Sequence, residues 1–215
     1  MADQTASPPA APAAPAQAEV TISAEEYMER YAHDFYEWVK GRLIKMSPVT
    51  DIHDLLTGYL YQLFAAYFAL NPVGVIRRAP FVMRTDVTES RREPDLQIIL
   101  KTNPGQLTPT AMIGPADICM EVVSLESVSR DHGEKYEEYE KGGVREYWIF
   151  DPIHRETRFN RLNDQKVYLR VEPDADGFYQ TPLLPGLRIH TPTLWQDPLP
   201  DFFEIGQAVR DMLGK

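Results

Sequence analysis

Ile118-Cys-Met-Glu-Val-Val123 decides the fold of this chain. Its side chains are apolar on both alternating faces except at Glu121, the pattern of a strand covered on both sides at the centre of a sheet. A lone buried charge is costly or titrates away, so Glu121 needs a cation, a hydrogen-bond network or a metal as its partner. The plainer alternative is an acid that reaches solvent from a strand end or pairs with an arginine. Upstream, Pro94-Asp95 opens a second apolar run, Leu96–Leu100. The chain has three Pro-Asp dipeptides, but only this one leads a strand that is followed by another strand with an acid in its middle. If the two strands are neighbours, Asp95 and Glu121 converge on one hard divalent cation, since Mg²⁺ favours one or two carboxylates, backbone oxygens and water.

The elements around these strands are legible from pattern. Ser23 and Glu26 form a capping-box start to a helix from Ala24 to about Ala32. Phe35–Val39 and Arg42–Met46 flank Lys40-Gly41 and predict a hairpin. Apolar residues from Leu55 to Phe68 repeat at three and four and predict a helix over Asp51–Leu70, ended by Asn71-Pro72. Further strands are expected at 73–76, 81–84, 146–150, 155–161 and 167–171, a loop at 101–115, and helices at 131–141 and 202–213. Tyr147 and Trp148 read as sheet core. The mixture lacks repeated strand-helix-strand units, so the expected fold is an α/β (α+β) domain on one central mixed β-sheet flanked by helices.

The chain has 215 residues, 43% hydrophobic and 25% charged, the size and composition of one globular domain. Residues 1–20 hold eight alanines and four prolines without periodicity and read as a disordered tail, with the folded domain at 21–215. One cysteine and five scattered histidines support neither an internal disulfide nor a structural zinc. With no apolar run of membrane-spanning length and no secretory features, a cytoplasmic location is expected. A net charge of −10 argues against coating nucleic acid through the overall field, though not against a local basic patch. Nucleophile-elbow, phosphate-loop, dinucleotide and His-Glu-x-x-His motifs are all missing.

Arg92-Glu-Pro-Asp-Leu96, Ala116-Asp-Ile-Cys-Met-Glu-Val-Val-Ser124, then Asp131, Glu134-Lys135, Tyr139 and Gly143-Val-Arg-Glu-Tyr-Trp-Ile-Phe-Asp-Pro152 resemble the Uma family of bacterial putative restriction endonucleases, within the PD-(D/E)XK nuclease superfamily. Tyr36-Glu37, Gly41, Met46-Ser-Pro48 and His53 fit its N-terminal half, so the resemblance spans roughly residues 22 to 200. It implies a restriction-endonuclease-like domain in which Asp95, Glu121 and the carbonyl of Val122 hold Mg²⁺ (or Mn²⁺) for hydrolysis of DNA. The third superfamily element departs: Val123 stands where a lysine is usual. Leu125-Glu126 replaces a common proline and adds negative charge beside the expected phosphate path.

Lys135 is the candidate replacement, sharing a helix face with Asp131 and Tyr139. The competing reading is a solvated Asp131 to Lys135 pair. Glu37 and His53 are candidate accessory residues, the one otherwise an exposed hairpin position and the other a cap or packing residue. Arg77, Arg78, Arg91 and Arg92, in a segment with few acids, are candidate DNA contacts. The expected partner is DNA, without a membrane and with a homodimer as the candidate assembly. The rival reading is a non-catalytic DNA- or protein-binding module that keeps the nuclease fold.

Overall fold

The computed structural model describes residues 21–125 and 127–215; the readings of the 1–20 tail and of Glu126 lie outside them. In chain order the elements are α1 (Ala24–Arg30), β1 (Tyr36–Val39), β2 (Arg42–Lys45), α2 (Asp51–Leu70), β3 (Gly74–Arg78), β4 (Val82–Thr85), β5 (Ser90–Arg92) and β6 (Leu96–Leu100). There follow β7 (Gln106–Leu107), β8 (Ala111–Ile113), β9 (Ile118–Val122), a π-helical turn (Arg130–Glu134), α3 (Lys135–Gly142) and β10 (Glu146–Asp151). The chain then forms β11 (Glu156–Leu162), β12 (Tyr168–Val171), β13 (Phe178–Gln180), β14 (Arg188–His190), a 3₁₀ turn (Thr191–Trp195) and α4 (Phe202–Leu213).

The central sheet has the order β12-β11-β10-β9-β6-β3, with β9 and β10 parallel and the other neighbours antiparallel. This is the mixed sheet expected, with β9 in its interior. A second six-stranded sheet, β2-β1-β5-β4-β8-β7, was not expected, and a β13-β14 ribbon completes the strands. The predicted loop at 101–115 holds β7 and β8. Its Gly, Thr and Pro hide two very short strands, and β5 is Ser-Arg-Arg, with no apolar side chain to betray a strand.

Both faces of the central sheet are covered. Leu96, Ile98, Ile118, Met120 and Trp148 pack with Leu60, Phe64 and Tyr67 of α2 and Ile205 of α4. On the other face Cys119, Val123, Tyr147 and Ile149 pack with Tyr139 of α3 and with Met83 and Met112 of the second sheet. Leu55, counted in the apolar stripe of α2, is exposed instead.

Local signals explain the element ends near the site. The hairpin turns on Lys40 (φ 48°) and Gly41 (φ 88°), two consecutive positive φ values that define a type I′ turn and fix the β1-β2 register. Thr50 caps α2 by accepting the His53 N–H at 3.4 Å, which sets His53 in the first turn. Gly143 closes α3 in the left-handed conformation (φ 86°). No described helix is long and apolar enough to cross a membrane.

Candidate active site

Strand register brings the two expected acids together. Leu96 pairs with Met120, so one step back along β6 Asp95 stands opposite Glu121. In-register neighbours point to the same side of a sheet, here the face that carries Cys119 and Val123. Asp95 Oδ2 accepts the Val122 N–H at 2.7 Å and lies 3.0 Å from His53 Nε2. Glu121 is almost fully buried, and its Oε1 accepts from the Tyr139 hydroxyl at 2.9 Å. Burial pushes the Glu121 carboxyl well above the usual carboxylate range; Asp95, Asp131 and Glu37 add to that push, against the opposing charge of Lys135. Burial works against a charged His53, yet its bond to Asp95 leaves the imidazole more basic than usual.

The predicted helix from Asp131 begins with a π-helical turn in which the Lys135 N–H bonds to the Arg130 carbonyl. Such wide turns concentrate at functional sites. Lys135 is 1% exposed, so a solvated surface pair is excluded. Its Nζ lies 2.9 Å from Glu121 Oε1, 3.4 Å from Asp131 Oδ1 and 3.5 Å from Glu37 Oε1. Burial disfavours its charge, but these three acids outweigh the penalty and hold Lys135 charged well beyond ordinary pH. The helix thus delivers an ammonium group to Glu121.

Glu37 is fully buried rather than exposed on the hairpin. Its Oε2 accepts from Arg92 at 2.8 Å and its Oε1 accepts the Glu93 N–H at 3.1 Å. Arg92 also forks onto Glu138 through Nε at 2.8 Å and Nη2 at 2.7 Å. This corrects the expected role of Arg92 as a DNA contact, because a guanidinium with no exposed surface and two carboxylate partners cannot meet a phosphate backbone. Arg91 is corrected likewise: it is buried over the Trp38 ring and bound to Asp86 at 3.1 Å. Arg77 is half-buried over Phe81, whereas Arg78 is exposed near the Asp95 end of β3, over Tyr61.

The Glu37 carboxyl sits at about 2: burial alone would raise it, but Lys135 and Arg92 overcome that effect. A depressed carboxyl adds stability that is present above its unfolded value and lost as pH falls through its folded value. Glu37 therefore contributes about 3 kcal/mol that disappears between roughly pH 4.5 and pH 2. Glu37→Gln should be less stable than the parent at pH 7, with the gap closing across that window. Urea unfolding of both proteins at several pH values measures it; a gap independent of pH would show that Glu37 is not held as a carboxylate by these cations.

Asp95, Glu121, Val122, His53, Lys135 and Arg130 line one cleft of about 40 Å³, narrowed by the 46–49 segment. A wider groove of about 820 Å³ between the hairpin and α3 is lined by Lys40, Lys141 and Lys166 with Glu134, Glu137, Glu138 and Glu140, and contains neither Asp95 nor Glu121. Sequence reasoning missed Glu138 as the second anchor of Arg92; Arg130 was weighed only as a competitor to Lys135, and the structure places both in the cleft. The only sequence signal for Glu138 was its place three residues after Lys135 on a charged helix.

A folded body of a mixed sheet with helices on its faces and an acidic cleft at strand ends defines a nuclease-like protein. The fold is shared with a crystal structure from Anabaena variabilis ATCC 29413 described as "a putative nuclease belonging to DUF820": the TM-score is 0.68 at 13% identity, covering 81% of this chain and 97% of that one. The family model described as "Uma2: Putative restriction endonuclease" matches residues 24–192, and the chain belongs to that family. No curated protein matches the sequence.

Proposed function

We propose that the protein is a Mg²⁺- or Mn²⁺-dependent endonuclease that hydrolyses DNA phosphodiester bonds. The observation that carries this reading is the convergence of Asp95, Glu121 and Lys135 in one cleft, with the lysine arriving from a helix. The donor set fits a hard cation. Asp95 Oδ1 and Glu121 Oε2 accept no hydrogen bond from the described residues, and both are oxygens. Among the described residues no three or more His, Cys, Asp or Glu side chains form a metal cage, which leaves the two carboxylates and the Val122 carbonyl, a set suited to a partly hydrated Mg²⁺. The bound cation would supply Lewis-acid polarisation of the attacked phosphate.

The protein's own residues do the rest. His53 and the Val122 N–H fix one Asp95 oxygen, so the other is aimed into the cleft. Tyr139 orients Glu121 in the same way. Lys135 holds a permanent positive charge beside Glu121, where it orients the attacking water and stabilises charge that develops on the phosphate oxygens. Glu37, itself locked by Arg92, keeps the lysine from swinging away.

Incubation with supercoiled plasmid, single-stranded DNA and RNA across divalent metals tests the reading. Nicking of plasmid with Mg²⁺ or Mn²⁺ and none with EDTA is expected. No cleavage of any substrate, together with no calorimetric binding of Mn²⁺, would favour the binding-module alternative.

A further inference from the structure

Three basic side chains line the cleft: His53, Lys135 and Arg130. Two are committed, His53 to Asp95 and Lys135 to Glu121, Asp131 and Glu37. The Arg130 side chain has no hydrogen bond or ion pair with any described residue, and its Nε is shut away from water with no acceptor. A buried N–H left without a partner is costly, and of the described residues' buried side-chain atoms without a hydrogen bond, only those of Arg130 and Asp131 belong to residues that line the cleft.

The local backbone explains why Arg130 faces the cleft at all. In the wide turn, positions 130, 131 and 135 all border it. Four carboxylates, Glu37, Asp95, Glu121 and Asp131, face or flank the same space, so an incoming anion needs a positive charge that is not already spent on an acid. Arg130 comes nearest to that: its side chain forms no close pair with a described acid, although its charge is felt by Glu37. The cleft's size sets the ligand: about 40 Å³ holds roughly three water molecules at ~10–15 Å³ each. That suits the oxygens of one phosphate group and leaves no room for a base. A guanidinium presents its N–H groups as a planar fork that matches two phosphate oxygens.

We propose that Arg130 is a substrate-binding residue that grips the non-bridging oxygens of the phosphodiester entering the cleft, so that recognition at this point is of backbone and not of base. The inference rests on the nuclease reading above and adds to it the group that holds the substrate. Arg130 acts beside Lys135 in a separate role, for the lysine serves Glu121 and the attacking water while the arginine fixes the phosphate.

The test uses full-length protein with Arg130→Ala and Arg130→Lys. Binding to a fluorescent DNA duplex is read by anisotropy in EDTA across salt, and plasmid cleavage is read with Mg²⁺. Arg130→Ala is expected to weaken duplex binding at least about tenfold and to lower the salt slope by about one unit, equally for unrelated duplex sequences. Arg130→Lys should keep the slope, having kept the charge, yet recover only part of the affinity. Added guanidinium at millimolar concentration should restore cleavage to Arg130→Ala and leave the parent unchanged, an effect that a merely structural role would not give. A parent that cleaves DNA while Arg130→Ala binds and cuts equally well would overturn the proposal and leave the nuclease reading standing. Loss of affinity for one duplex sequence only would overturn backbone recognition. A parent that neither binds nor cleaves any of the nucleic acids would remove both readings together.

Discussion

Asp95→Asn and Glu121→Gln should each abolish the proposed metal-dependent cleavage while the protein stays folded. A cation on a phosphoryl oxygen is worth several kcal/mol of transition-state stabilisation, so a loss of at least about a thousandfold is expected. Each change keeps the shape of the side chain. Asparagine at 95 still offers an oxygen to the Val122 N–H, and glutamine at 121 still offers one to Tyr139. The metal-free melting temperature should therefore move by no more than a few degrees. Calorimetry with Mn²⁺ completes the test, since either variant should lose the binding seen in the parent. Cutting at the parental rate by either variant, at the same Mg²⁺ concentration, would mean that the reaction takes place elsewhere.

Lys135→Ala should lower the single-turnover rate at least about a hundredfold, the usual result of losing one positioned charge that faces the transition state. Metal affinity should change little, because the lysine is not one of the oxygen donors. Its removal also leaves Glu121, Glu37 and Asp131 facing one another without their shared cation. Breaking a buried pair in this way costs about 3–5 kcal/mol, so the rate must be normalised to the folded fraction. Added ethylamine separates the two effects: it should return part of the rate to folded Lys135→Ala if the missing ammonium group is what matters. Near-parental cleavage by Lys135→Ala would remove the lysine from the mechanism. A lysine at the position usual in the superfamily is not an expected rescue. Val123 does share the face of Glu121, but it is enclosed by Cys119, Tyr139, Tyr147 and Ile149, and a charge placed there would be buried among apolar groups.

The central sheet was legible because its strands are apolar and its helix signals are strong. Leu96–Leu100, Asp51–Leu70 and Phe202–Leu213 have the bounds read from periodicity and caps. Asp95 and Glu121 stood out for the opposite reason, as acids at the head and in the middle of apolar strands, whereas Lys135 fitted a surface pair by spacing and was singled out by family resemblance. What stayed hidden depends on partners far apart in the chain. Arg92 looked like a solvent-facing cation because Glu37 lies 55 positions before it and Glu138 lies 46 after it. The second sheet was obscured in the same way, since β5 buries its arginines by pairing them with acids and shows no apolar alternation. Arg130 was visible as a cation close to Lys135, but the π-helical turn that sets both on the cleft has no distinctive sequence signature.

Glu37 and Arg92 belong to β1 and β5 of the second sheet, whereas Glu121 belongs to the central one. The cleft therefore borders a seam between two layers, and its lysine is also held from the far side, by Glu37. Proteins open in cooperative pieces well before they unfold as a whole. A fluctuation that lifts the hairpin layer would take Glu37 away from Lys135, leaving the lysine to Glu121 and Asp131, while β9 and β10 kept their ladder bonds. The placing of the lysine would then depend on two layers at once, and mild stress that loosens the hairpin would disturb it in a molecule whose central sheet is intact.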